Sequence, residues 1–172
     1  MLRFLRHGLP FVLVLAGSAF ISGQSKRFGL GPLTVAIPGG WIFQPGKGEI
    51  RFYSPDSTPE QYFAVEFYPQ ESISQEVREH HSVVWSRLAA RSQPAGPPQN
   101  GVLGQFIWTR AELRRPPGQT QTLILYSAKV GAIYVAIVAE ATRADLVLKN
   151  LPDVEAMLNN ATLSPPPVRS TR

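Results

Sequence analysis

The sequence contains no cysteine, and this absence removes several classes of protein at once. Without thiols the chain has no disulfide framework, no thiolate metal site and no cysteine nucleophile. Charged residues are also few, at 17% of 172 residues, whereas hydrophobic residues make up 44%. This balance is typical of a globular protein, and the length suits one domain that buries a substantial core. We find no internal repeat and no second domain.

The excess of basic residues is too small to indicate a nucleic-acid partner. The formal net charge is +5, but Arg3 and Arg6 lie in a segment that we expect to be removed. Without them 15 basic residues face 12 acidic ones, which leaves +3. Nucleic-acid binders carry basic residues clustered on one face or one helix. We therefore predict no nucleic-acid partner.

The first 24 residues have the pattern of a secretory signal peptide. Arg3 and Arg6 precede the apolar run Leu9–Ala16, and small residues follow. Cleavage after Ala19 and cleavage near residues 23–24 both fit. An uncleaved membrane anchor is the alternative, although the run is shorter than the roughly 20 residues of a spanning helix. The sequence predicts an exported protein, periplasmic or extracellular, without stable membrane insertion after cleavage.

Two apolar runs separated by a short connection predict a hairpin at the centre of the fold. Leu123–Tyr126 and Ile133–Val138 are too close for a parallel crossover, and Gly131 can adopt a positive φ at the turn. Neither run alternates apolar with polar residues, which indicates central strands covered on both faces. A three-residue loop would place Tyr126 directly opposite Tyr134.

The remaining pattern alternates between strands and helices. Tyr62–Tyr68 predicts a strand with its phenylalanines and valine on one face and its tyrosines and glutamate on the other. A helical stripe over Ile73–Leu88 follows, with Ser72 and Gln75 at the spacing of a capping box. Near the C terminus the helical period returns, and Pro152 suits the first turn of a second short helix there.

This order of elements resembles the PsbP-like fold group, which includes the extrinsic PsbP subunit of photosystem II, periplasmic DcrB-like proteins and a nuclear Ran-binding release factor. The similarity lies in Leu33–Trp41, in Tyr62–Pro69 and in the Leu123–Val138 hairpin with its following helix. It implies an α+β domain over 25–163, with 164–172 as a disordered tail. The implied architecture is a three-layer α-β-α sandwich. Its central, mainly antiparallel sheet has about six or seven strands with helices on both faces, and the fold is used mainly for binding other proteins.

No residue pattern indicates catalysis or a cofactor. His80 and His81 are adjacent, so on a helix their rings project about 100° apart and do not chelate one metal. Glu76 and His80 have helical i, i+4 spacing, but a solvated or packed helix face explains the pair better. Glu66 and Glu112 could meet across a sheet, although exposed strand carboxylates are far commoner. We predict a protein that is not an enzyme and holds no metal or cofactor.

The binding residues predicted from the sequence are Arg110, Arg114 and Arg115. They lie in or beside a Pro-Gly loop, where guanidinium groups could bind a carboxylate or phosphate surface, or could simply keep a hairpin tip soluble. The predicted function is an exported non-enzymatic protein-interaction module that supports assembly or maintenance of envelope or membrane proteins. The alternative is a carrier or sensor of an apolar small molecule, held in a pocket between sheet and helix. A hydrolase ranks third, since it needs titratable groups converging in a cleft.

Overall fold

The computed structural model describes residues 25–45, 49–90, 92–115 and 119–165. The expected signal segment and most of the expected tail lie outside these ranges. The elements in chain order are β1 (Lys26–Leu30), β2 (Leu33–Ile37), β3 (Ile42–Pro45), β4 (Ile50–Tyr53), β5 (Phe63–Phe67), β6 (Glu71–Ser72), α1 (Val77–Ala89), β7 (Gln93–Pro94), β8 (Gln99–Leu103), β9 (Phe106–Arg115), β10 (Gln119–Val130), β11 (Ile133–Ala141), α2 (Ala144–Asn159) and β12 (Thr162–Leu163).

The described strands form a large and a small antiparallel sheet. The large sheet has nine strands, of which seven run in the order β3-β4-β5-β11-β10-β9-β7, while β6 pairs with β11 and β8 with β9. The expected six or seven strands were therefore too few, because two-residue strands such as β6 and β7 give no pattern in a sequence. A separate three-stranded sheet is formed by β1, β2 and β12.

The central hairpin is confirmed, but its predicted register is wrong. Gly131 has a φ of +59°, the left-handed conformation that glycine tolerates best. The turn contains two residues and not three, because Val130 pairs with Ile133. Tyr134 is consequently opposite Lys129, and Tyr126 is opposite Ile137. This change in register puts the two tyrosines on opposite faces of the sheet.

Both helices differ from the sequence prediction at their ends. The first begins at Val77 and has no side-chain cap, because Ser72 belongs to β6 and pairs with Ile133. The second is one continuous helix with Pro152 inside it, where two short helices were expected. Within the described ranges, neither helix combines the length and the hydrophobicity that crossing a bilayer requires.

The core consists of two clusters that divide along β10. Leu123 and Leu125 belong to a cluster against which the apolar side of α1 packs. Ile124 and Tyr126 belong to a larger cluster that includes buried residues of α2. Because successive strand residues point to opposite sides, we refer to the Leu123 face and the Ile124 face of the large sheet. The first helix packs mainly on β9 and β10, so among the described elements no helix covers the β3-β4-β5 end of the Leu123 face.

Candidate functional site

The uncovered part of the Leu123 face carries an unusual set of polar and aromatic side chains. Cross-strand pairing places them in adjacent rows: Ile42 pairs with Tyr53, Tyr53 with Ala64, and Ala64 with Glu140. In the next row Arg51 pairs with Glu66. We call this surface the tyrosine patch and define it by Ile42, Arg51, Tyr53, Tyr62, Glu66, Tyr68 and Glu140.

Glu66 is the buried anchor of the tyrosine patch. Its side chain is 5% exposed, forms an ion pair with Arg51 and accepts a hydrogen bond of 3.2 Å from the Tyr68 hydroxyl. Burial raises the pKa of the Glu66 carboxyl, and the charge of Arg51 opposes this shift. Arg51 also donates to the Tyr53 hydroxyl at 3.0 Å. The guanidinium group is thus held in a fixed position at the surface by a buried carboxylate and a tyrosine.

A third tyrosine, Tyr62, and the carboxylate of Glu140 complete the polar part of the patch. The Tyr62 hydroxyl donates to a carboxylate oxygen of Glu140. The rings of Tyr53 and Tyr62 meet edge to face, with centroids 5.8 Å apart. Each tyrosine is half-buried, so it offers part of its ring to a partner while the rest is fixed by packing. The patch is therefore ordered before any partner binds.

The exposed apolar member of the patch, Ile42, lies on the edge strand next to a second exposed apolar residue, Phe43. Ile42 and Phe43 of β3 are each 55% exposed. Ile42 belongs to the Leu123 face, whereas Phe43 points to the Ile124 face, where its ring lies 5.5 Å from that of Phe52. A large exposed apolar side chain next to tyrosines and an arginine matches the composition of protein interfaces.

A cleft of about 410 Å³ adjoins the patch at the end of the sheet, with Tyr62, Gln121 and Arg143 among the residues that line it. Gln121 is 5% exposed, and its Oε1 atom has no hydrogen-bond partner among the described residues. Arg143 is engaged, because it donates to both carboxylate oxygens of Asp145 at 2.8 and 3.0 Å. The cleft does not lie between the hairpin and α1, so the carrier alternative gains no support from it.

The two histidines have separate roles in packing. His80 lies edge to face on Tyr134, at 4.4 Å between ring centroids, and its Nδ1 is 3.2 Å from Gln75 Oε1. Its Nε2 is 3.5 Å from a carboxylate oxygen of Glu71, and not of Glu76, the helical partner that the spacing suggested. The described residues contain no group of three or more metal ligands.

His81 belongs to a buried chain of hydrogen bonds between α1 and the sheet. The Thr109 hydroxyl donates a hydrogen bond to Asn100 Oδ1 at 2.6 Å. Its oxygen must therefore accept the hydrogen bond from His81 Nε2 at 2.8 Å. His81 Nδ1 must then accept from Ser127 at 2.8 Å, and the Ser127 oxygen accepts from Tyr134 at 2.6 Å. The network therefore selects the neutral histidine protonated at Nε2. Ser127 is fully buried and His81 is 6% exposed, so this serine-histidine pair belongs to the interior.

We expect this network to make the folded chain less stable in mild acid. Burial lowers the pKa of His81, so between pH 6.5 and the lowered value the unfolded chain binds a proton that the folded chain does not. The histidine's contribution to stability is complete above pH 6.5 and is lost as the pH falls. Between pH 6.5 and pH 5 the loss is at most about 2 kcal/mol, since each pKa unit corresponds to about 1.4 kcal/mol. Urea unfolding across this range measures it.

Arg110 and Arg114, two of the three arginines predicted to bind, are separated along one face of the sheet. Arg110 and Arg114 lie on the Ile124 face of β9, and a separation of four strand residues is about 13 Å. Arg110 is half-buried and, with Glu112, lines a smaller cleft of about 240 Å³, whereas Arg114 is exposed. Arg115 pairs with Gln119, and its side chain lies outside the described residues. Arg110, Arg114 and Arg115 remain a predicted binding site for a carboxylate or phosphate surface.

Sequence reasoning missed the tyrosine patch although one signal for it was present. The predicted strand through residues 62–68 correctly placed Tyr62, Glu66 and Tyr68 on one face. The pattern could not identify Arg51 as the partner of Glu66. Glu112, which the sequence analysis considered as a neighbour of Glu66, lies on the other face of the sheet, opposite Thr122. An acidic residue in the middle of a tyrosine-bearing strand face was the available clue.

The fold defines an α+β protein with a large antiparallel sheet and two helices in the described ranges. Comparison with solved structures identifies it further as the PsbP-like/Mog1 fold, which confirms the resemblance seen in the sequence. LpqN of Mycobacterium tuberculosis, described as involved in cell envelope biogenesis, has a TM-score of 0.57 and 13% identity over 83% of this chain and 91% of LpqN. No protein-family model matches the sequence, and no curated protein matches it either.

Three other similar structures come from three different organisms. The Ran-binding protein Mog1p of Saccharomyces cerevisiae has a TM-score of 0.55 and 10% identity over 84% of this chain and 97% of Mog1p. The cyanobacterial PsbP of Synechocystis has a TM-score of 0.51 and 9% identity over 87% of this chain and 98% of its own. A protein from Bacteroides thetaiotaomicron aligns with 81% of this chain but only 48% of its own length, so this chain spans about half of it. At such identities the similarity establishes the fold alone.

Proposed function

We propose that this protein is a non-enzymatic, exported interaction module that binds another protein through the tyrosine patch and thereby supports assembly or maintenance of envelope or membrane proteins. The observation that carries the proposal is the exposed Ile42 beside tyrosines and an arginine that are already held in place. Such a surface binds with little loss of side-chain entropy, because Arg51 and Tyr62 are each fixed by a carboxylate.

The composition of the patch favours a protein partner. Tyrosine and arginine are the residues that contribute most to protein interfaces, and an apolar anchor at the rim supplies area that a partner can bury. The patch also lies on an edge of the large sheet, where β3 has a neighbour on one side only within its described path. A partner can therefore contact the side chains of the face and the edge of β3 together.

The similar structures supply a second line of support. LpqN is described as involved in cell envelope biogenesis, and Mog1p as a Ran-binding protein. Neither description assigns a reaction.

The finer architecture belongs to the same proposal: α1 on the Leu123 face and α2 on the Ile124 face form a three-layer sandwich. The signal-like segment 1–24 is the basis for proposing export.

A charge in place of Ile42 should abolish partner binding without unfolding the protein. Ile42 is 55% exposed, so Ile42→Asp is expected to change the free energy of unfolding by no more than about 0.5 kcal/mol. Burying an aspartate in the interface should weaken the complex at least about 100-fold. A photocrosslinking residue at position 42 identifies the partner in envelope extract, and titration of the purified partner with wild type and variant gives the two affinities.

Leu148 provides the matched control, because it is 77% exposed on α2 and does not belong to the patch. The same substitution, Leu148→Asp, adds the same charge to the same chain and should leave the affinity unchanged. Equal affinities for wild type and Ile42→Asp would contradict the proposed interface. Loss of binding in both variants would show that charge, and not the patch, decides the affinity.

A further inference from the structure

The cleft beside the tyrosine patch contains a buried acceptor without a donor. Gln121 lines this cleft of about 410 Å³, is 5% exposed, and has no hydrogen-bond partner for Oε1 among the described residues. A buried acceptor without a partner destabilises the protein, and such groups are rare in native structures. The oxygen is shielded from solvent, so a ligand in the cleft reaches it only if the carboxamide rotates, and the broad terminal torsion of a glutamine permits that rotation.

The charges around the cleft determine which donor it attracts. The charge of Arg143 is neutralised by the two hydrogen bonds to Asp145, and Glu60 lines the cleft with an exposed carboxylate. Besides Arg143, which Asp145 neutralises, the cleft and the adjoining patch hold three carboxylates, Glu60, Glu66 and Glu140, and one further guanidinium group, Arg51. Two negative charges are therefore in excess here, on a chain whose formal net charge is +5. A local negative field of this kind attracts a cation.

The apolar groups of the cleft select the shape of that cation. Pro59 and Tyr62 line the cleft and suit an alkyl stem, and the face of a tyrosine ring attracts a positive charge. A compact ammonium group can donate to a single acceptor atom, whereas a planar guanidinium group binds best to two acceptor atoms side by side. A primary ammonium on an alkyl stem meets each of these conditions.

We propose that this cleft receives the ammonium group of a lysine side chain of the bound partner, which donates a hydrogen bond to Gln121 Oε1. This inference rests on the proposed protein-binding function and names the residue that the partner inserts. Glu60 supplies the electrostatic attraction, and Tyr62 contacts the stem of the lysine.

The test uses a lysine probe on the full chain labelled with ¹⁵N. Nα-acetyl-lysine N-methylamide should shift the side-chain amide signal of Gln121 in a saturable way, and the norleucine analogue, which lacks the ammonium group, should not. Gln121→Met keeps the side-chain volume and removes the acceptor, so it should lower the affinity for the lysine probe at least tenfold. The melting temperature should stay equal or rise, because the substitution removes a buried acceptor that has no partner. Gln119→Met changes an exposed glutamine that lines the same cleft and should leave the affinity unchanged.

Two results would overturn the inference. Equal shifts from the lysine and norleucine probes would show that apolar contacts, and not the ammonium group, are responsible for binding in the cleft. Absence of any saturable shift would show that the cleft holds no ammonium group. In each case a partner that still fails to bind Ile42→Asp would leave the proposed function standing, so the two failures are distinguishable.

Discussion

Arg51→Met should lower the free energy of unfolding by about 3 kcal/mol at pH 7, one of the two largest effects we expect in this protein. Removing one member of a buried ion pair typically costs about 3 to 5 kcal/mol, because the other charge stays buried without a partner. Here Glu66 is the buried member, with 5% of its side chain exposed, while Arg51 is 32% exposed. The partial exposure of the guanidinium group places the expected cost at the lower end of that range.

The cost of this substitution should fall as the pH is lowered, which identifies its cause. Burial already raises the pKa of Glu66, and loss of the guanidinium charge raises it further. Because the folded-state pKa lies above the unfolded value of about 4.3, ionisation of Glu66 costs stability as the pH rises through these two values. At pH 5 the carboxyl protonates at little cost, so the destabilisation should shrink to about 1 kcal/mol. Urea unfolding at pH 5 and pH 7 measures both numbers.

A double variant separates the buried charge from simple loss of packing. Arg51→Met combined with Glu66→Gln removes both charges, so it should regain most of the lost stability at pH 7 and show little dependence on pH. Glu66→Gln alone leaves a guanidinium group that solvent can reach, and should be mild. A deficit in Arg51→Met that is equal at pH 5 and pH 7, and that the double variant does not relieve, would show that the ion pair has no such role.

The strands could be predicted from the sequence because one face of each strand is apolar. Phe63, Val65 and Phe67 alternate with Tyr62 and Glu66, and the structure places the two sets on opposite faces as expected. The register of the central hairpin was beyond this reasoning. Both of its strands are buried on two faces, so a shift of one residue exchanges one apolar set for another and leaves the pattern unchanged. The turn length decides the register, and Gly131 fits a turn of two or three residues.

The candidate site was harder to predict because it depends on pairings between distant strands. Glu66 and Arg51 belong to different strands, and the pattern of either strand contains no information about its neighbour. The same holds for Tyr62 and Glu140, which are 78 residues apart in the chain. Sequence patterns identified Arg110 and Arg114 because they lie close together along the chain. Residues that are close in the chain are easily noticed, whereas cross-strand contacts arise only once the sheet order is known.

His81→Leu should be the other large effect, with a loss of about 2 to 3 kcal/mol at pH 7. Leucine fills a similar volume but takes the acceptor from the Ser127 hydroxyl, which is fully buried and has no route to water. A buried donor left without a partner costs about 1 to 3 kcal/mol, and the hydrogen bond to Thr109 is lost as well. Urea unfolding at pH 7 gives the size of the loss, and His80→Gln is the neighbouring control.

The direction of the hydrogen-bond chain predicts how this loss can be reversed. Tyr134 donates to Ser127, and Ser127 donates to His81, so replacing all three by apolar residues of similar shape leaves no orphaned group in this segment. His81→Leu with Ser127→Ala and Tyr134→Phe should therefore be within about 1 kcal/mol of wild type, because paired polar groups can be exchanged for apolar ones at small cost. Both the single and the triple variant should also lose the acid sensitivity that we assign to this histidine. Additive losses across the three substitutions, or an unchanged pH dependence, would contradict the network as described.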